Sequence, residues 1–194
     1  MTEPATKPAA SETVRAVAAS FRFWRMDRTA AAGFDPSPRA ALRSFMAALY
    51  GVPFYAGVLA LDLWHSADRP ADLGTYALVQ AIAYVIHTAG FPLAVLGMLR
   101  AIHHAEQWPL FVTAQNWFGL TQVAALLATL VLDQSHILGP VGAALLVGLQ
   151  FYLLFIEGFI AAVTLGITPL ACFAIVLLDV VFGVGIDQVA VSLF

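Results

Sequence analysis

Charge is what this sequence has least of: Asp, Glu, Lys and Arg make up 11% of its 194 residues, while 61% are hydrophobic. Soluble domains carry about 25% charged residues and roughly 45–50% apolar ones, so a water-soluble globule is excluded. Cysteine is nearly absent. Cys172 is the only one, which rules out an internal disulfide and any metal or redox motif built on paired thiols. Lys and Arg are scarce beyond residue 43, because the first 43 residues hold seven of the nine and leave only Arg69 and Arg100 for the rest. The net charge of -3 therefore averages a basic N-terminal segment and an acidic remainder.

Reaction motifs are missing too. There is no Gly-x-Ser-x-Gly elbow, no His-Glu-x-x-His, no phosphate-binding glycine loop, and no long polar loop to house one. Haem held across a membrane needs axial ligands on facing helices, and His87 is the only histidine inside an apolar run. The basic segment has no nucleic-acid-binding fold around it, so its expected partner is the anionic lipid head group and not nucleic acid. These absences predict a protein that is not an enzyme and needs no cofactor. A signal peptide would place an apolar core within the first thirty residues or so, whereas the first long apolar stretch begins near Ser44. The N-terminus is expected to be retained. An organellar transit sequence is the alternative that its Ala- and Arg-rich composition fits.

Five apolar runs are long enough to cross ~30 Å of hydrocarbon at ~1.5 Å per residue. They are Ser44 to Trp64, Gly74 to Leu99, Pro109 to Leu132, Pro140 to Leu165 and Pro169 to Ile186. The expected fold is all-α: a polytopic bundle of five transmembrane helices over residues 44–194, behind an N-terminal segment, residues 1–43, that carries an interfacial amphipathic helix. Ser37-Pro38 and Thr168-Pro169 each place a capping side chain before a proline at the first helical position. Gly166 can close the fourth helix, leaving Ile167 and Thr168 as the turn of a tight antiparallel hairpin. Trp64, Tyr76 and Trp108 fall at run ends, where aromatic belts form.

Threading five spans puts Lys7, Arg15, Arg22, Arg25, Arg28, Arg39, Arg43 and Arg100 on one side. Arg69 alone falls on the other, flanked by Asp68 and Asp72. The positive-inside rule then predicts a cell (inner) membrane protein with a cytoplasmic N-terminus and a C-terminus outside. Ahead of the spans, Val14, Val17, Ala18, Phe21 and Trp24 share one helical face, with Arg15 and Arg22 on another. Ser11 to Trp24 is thus expected to lie in the plane of the anionic leaflet, the alternative being a docking helix for a partner protein. Gly33 to Pro38 reads as a stiff turn into the first span.

Ionisable groups within hydrocarbon are costly and tend to mark function, which singles out His87, Glu157 and Asp179. With Asn116 they form the candidate intramembrane site for a proton, a cation or a substrate. Gln115, Gln122 and Gln150 add polar groups at comparable depth, although such amides also join helices by hydrogen bonds of ~0.6–2 kcal/mol. In a hairpin turning near Ile167, Glu157 and Asp179 come level, and two neighbouring carboxyls there are expected not to carry two charges. Gly158, Ala162 and Gly166 on the fourth span, and Thr121, Ala125 and Thr129 on the third, are small-residue packing stripes.

Asp62 and His65 end the first span, and Asp133 and His136 end the third, each pair at i, i+3. If the two pairs met, imidazole and carboxylate could hold a divalent cation, with solvated helix ends as the plainer reading. His103, His104 and Glu106 in the loop before the third span read the same way. The first pair matches the second at an offset of 71 residues, and Gln80 and Gln150, His87 and Glu157, and Leu96-Gly97 and Leu165-Gly166 match at 69 to 70. This hints at a duplicated two-helix unit with a fifth helix appended.

Five short-looped spans after a basic tail resemble the layout of the Yip1-like membrane proteins, a likeness of shape without that family's motifs. Two functions fit these residues: transport or permeation of a proton, cation or small solute through the buried carboxyls, or a non-catalytic scaffold or accessory subunit that binds other membrane proteins or a second copy of itself through the small-residue stripes. An intramembrane enzyme would need a nucleophile or metal set that cannot be assembled here.

Overall fold

The computed structural model describes residues 9–66 and 70–193. Lys7, Asp68 and Arg69 lie outside them. Six α-helices follow in order: α1 (Ala9–Phe23), α2 (Pro38–His65), α3 (Leu73–Ala101), α4 (Trp108–Gln134), α5 (Pro140–Leu165) and α6 (Pro169–Val191). The last five are long and apolar enough to cross a membrane, and no strand occurs among the described residues.

The helix ends follow the capping chemistry. Ser37 Oγ accepts from the Ala40 N–H at 3.2 Å with Pro38 beside it, so α2 starts at this cap, ahead of its apolar run. Thr168 Oγ likewise accepts from Ala171 N–H at 3.3 Å, and Asp72 caps α3 through Gly74 N–H at 2.8 Å. Gly166 closes α5 at φ +63°, a left-handed position that costs a residue without Cβ nothing. Ile167 and Thr168 then lead from this cap to Pro169 at the start of α6, as the spacing predicts.

Successive helices alternate in direction, so α2, α4 and α6 start at the end of the bundle that carries Arg39, Arg43 and Arg100, here the basic end. Helix α4 is central and packs against α1, α2, α3 and α5, while α6 packs against both α3 and α5. The fully buried side chains, among them Leu99, Phe111, Phe118, Ile156, Ile160 and Ile175, gather in the basic half. Outward, Leu170 is 78% and Phe173 63% exposed, and Leu42, Phe151 and Phe155 are exposed as well. Apolar surface that extensive is stable only under lipid.

Helix α1 forms within two residues of its expected bounds, but it does not stand apart from the bundle. It buries Ala16, Ala19, Ser20 and Phe23, a narrow face at i, i+3, i+4 and i+7, and packs against α4. Val14 (68% exposed) and Phe21 (58%) of the expected apolar face point outward. Phe23 stacks on Phe34 with ring centroids 5.7 Å apart and meets Phe118 and Phe159 edge-on. Trp24 Nε1 donates to Thr121 Oγ1 at 3.1 Å, and the Tyr152 hydroxyl donates to the Trp24 carbonyl. Residues 28–33 then return as a tight 3-10 segment, with Gly33 against Ala19. At the other end of α1, Glu12 pairs with Arg43 at 3.1 Å.

The N-terminal segment is therefore a hairpin rising beside α4. Its tip reaches Thr121, about 20 Å from the start of that helix. Arg22, Arg25 and Arg28, which span counting alone leaves at the basic end, are carried up to this tip. Small side chains explain the difference: Ala and Ser at i, i+3 and i+4 allow close helix packing, which a search for large apolar residues overlooks.

Candidate functional site

Three helices deliver one ionisable side chain each to a single place. His87 Nε2 on α3 lies 3.2 Å from Asp179 Oδ1 on α6. Asp179 also borders the carboxyl of Glu157 on α5, within hydrogen-bonding reach when one of the two holds a proton. Glu157 is only 5% exposed, and its Oε1 has no hydrogen-bond partner among the described residues.

Small residues make the approach possible. A Cβ on Gly183, one turn beyond Asp179, would sit 3.6 Å from His87 Nε2, so glycine leaves the imidazole its room. A Cβ on Gly158, next to Glu157, would stand 3.4 Å from Val176, which marks the close seam of α5 on α6. The His87 ring is flanked by Phe91 and Phe182, with centroids 6.2 and 6.0 Å away.

Beside this triad a cavity of about 340 Å³ opens between α2, α3, α4 and α6. His87 and Asp179 line it with Gln115, Asn116 and Gln122 of α4, and so do Tyr55, Tyr84 and Asp187. Asn116 Nδ2 donates to Ser44 Oγ at 2.8 Å, which ties α4 to α2. The Tyr84 hydroxyl donates to the Ala48 carbonyl at 2.7 Å and the Tyr55 hydroxyl to Gln80 Oε1 at 3.1 Å, with the two rings stacked at 4.8 Å. Gln115 Oε1 is buried and without a partner among the described residues. Gln150 is exposed on α5, away from this cavity.

Three of these residues are missed by sequence reasoning alone. Asp187 carried one usable signal, its position two turns beyond Asp179 on the same face of α6. Tyr55 and Tyr84 carried none, since tyrosine in a membrane helix is unremarkable.

The other constellation does not gather. His65 Nδ1 bonds the carbonyl of Leu61 at 2.9 Å within its own helix, and Asp133 is seated against Gly142, where a Cβ would lie 2.4 Å from Oδ1. Among the described residues no three His, Cys, Asp or Glu side chains stand close enough to hold a metal ion, so Asp62, His65, Asp133 and His136 form no joint site. His104 Nδ1 meets Gln107 Oε1 at 3.0 Å in the loop before α4.

Five membrane-length helices and an outer surface of large apolar side chains define a multi-pass α-helical membrane protein. No protein-family model, no curated protein and no solved structure matches the chain.

Proposed function

We propose that the chain is a small transport protein that holds and exchanges a proton at Glu157, Asp179 and His87. One observation carries the reading: Glu157 Oε1, buried and unpartnered, stands beside a second carboxyl that is itself in contact with a histidine on a cavity wall. Two carboxylates without water would repel, and a single proton between them removes one charge and supplies the missing hydrogen bond. His87, which faces the cavity, is placed to take that proton from Asp179 and pass it on.

The scaffold reading reserves the small-residue stripes for other proteins. Within this bundle Gly158 already faces Val176 and Thr121 already receives Trp24, so those positions are occupied by the chain itself. Transport is favoured on that ground. By the positive-inside rule the basic end faces the cytoplasm in a cell membrane and the C-terminus lies outside. Arg15, Arg39 and Arg43, all exposed near the basic end, are the residues that would meet anionic head groups.

The test is proton flux into liposomes that contain the purified chain, driven by a potassium diffusion potential and read with an internal pH dye. Flux well above that of empty vesicles is expected, falling by about tenfold or more in Glu157→Gln or Asp179→Asn. Wild-type vesicles no leakier than empty ones would overturn the proposal and return the scaffold reading.

A further inference from the structure

Resting on that reading, we infer that the ion able to take the proton's place at this site is a small organic ammonium ion, bound in the cavity between α2, α3, α4 and α6. The cavity selects for positive charge. Asp179 and Asp187 project into it from one face of α6, about 12 Å apart along the axis, and no Lys or Arg lines it among the described residues. Gln115 Oε1, on the cavity wall, is an acceptor left without a donor among the described residues, which is what an N–H-bearing cation would satisfy.

Size and geometry argue against a bare metal ion. About 340 Å³ is far more than one cation fills, the two aspartates are spread along the helix, and no cluster of three metal-ligating side chains exists among the described residues. An organic body fits better. The stacked rings of Tyr55 and Tyr84 lie on the wall between the two aspartates, where an alkyl or aryl group packs and a cation gains from the ring faces.

The cavity also has a direction. Toward the basic end it is backed by Phe91 against Phe111, with centroids 6.4 Å apart, and by Trp108, whose indole donates to the Pro92 carbonyl at 2.7 Å. Toward the acidic end it reaches Asp187, which is exposed. The ammonium ion meets Asp187 first, crosses the tyrosines and arrives at Asp179, where its charge replaces that of the proton. Each cation bound displaces one proton from the carboxyl pair, so the charge held at the site is unchanged, and without the cation the proton crosses alone. The ionisable groups facing this path are Asp179 and Asp187 of α6, His87 and Tyr84 of α3 and Tyr55 of α2, with Glu157 of α5 beside Asp179 but off the cavity wall. Helix α4 contributes amides only.

Calorimetric titration of the purified chain with benzylammonium tests the assignment, with benzyl alcohol and benzoate as neutral and anionic counterparts of similar shape. Repeating it in buffers of different ionisation heat counts the protons displaced. Saturable binding of benzylammonium alone is expected, with about one proton released per ion. Asp187→Asn should weaken it about tenfold while helicity and elution stay those of the wild type, and Asp179→Asn should abolish both binding and proton release. Equal binding of benzyl alcohol, or benzylammonium binding unchanged in a folded Asp187→Asn, would overturn it. Vesicles that conduct protons while the chain binds no benzylammonium would sink this inference alone; loss of both would take the proposed function with it.

Discussion

At the scale of single residues, cost and space separate the informative positions from the rest. His87, Glu157 and Asp179 were legible because an ionisable group in hydrocarbon is expensive wherever its helix turns. That they meet was legible only in part: the Gly166 to Thr168 turn set the heights of Glu157 and Asp179, but nothing in the sequence set the rotation that brings His87 to Asp179. Glycines carry the clearest tests of packing. A Cβ on Gly33 would fall 2.6 Å from Ala19 Cβ, and one on Gly142 would fall 2.4 Å from Asp133 Oδ1 and 3.1 Å from Asp133 Cα. Gly33→Ala and Gly142→Ala should each destabilise the protein by about 1–3 kcal/mol. Gly97 has nothing within 4 Å, so Gly97→Ala should be neutral or stabilise α3 by up to about 1 kcal/mol. Thermal unfolding in detergent separates these outcomes, and equal midpoints for all three would contradict the packing described.

At the scale of elements, helix existence and ends were readable from Ser37-Pro38, Thr168-Pro169 and Gly166, because capping is local chemistry. The placement of α1 was not. Its large apolar residues advertise one face while its small residues pack on another, and only the tertiary fit to Phe118 and Thr121 decides between them. The hairpin tip makes its own charge tolerable. Arg22 Nη2 stands 2.8 Å from Asp27 Oδ2, and Asp27 also accepts from Thr29 through its N–H and its hydroxyl. The Thr29 hydrogen bonds first, and then Arg22, hold the Asp27 carboxyl down at about 2. A depressed carboxyl contributes stability that is present above its unfolded value of 3.8 and lost as the pH falls through about 2. A fluorotryptophan resonance from Trp24 should therefore hold still from pH 8 to about pH 4 and move only as the pH falls through about 2. Asp27→Asn should show the acid-side shift already at neutral pH. A transition near pH 6 would point to another group and contradict this account of the tip.

At the scale of the whole molecule, the abundance of apolar residues and the scarcity of charge dictated five spans, and the structure has five helices that meet the length and composition of a span. The Lys and Arg bias predicts that a reporter fused after Phe194 behaves as extracytoplasmic, and activity of a cytoplasm-only reporter there would reverse the proposed orientation. The 70-residue offset between His87 and Glu157 acquires a spatial counterpart, since both side chains meet Asp179 on α6, which packs against α3 and α5 alike. Gln80 and Gln150 do not follow suit: one accepts from Tyr55 inside the bundle, the other faces outward. The cavity itself was beyond the sequence, because it exists only where four helices fail to close on one another.

A proton held between Glu157 and Asp179 is seen most directly by infrared spectroscopy of the purified chain. At neutral pH the account predicts a carboxylic-acid C=O stretch from a water-shielded group, absent in Glu157→Gln and altered in Asp179→Asn. A spectrum with carboxylate bands alone, the same in wild type and both variants, would contradict it.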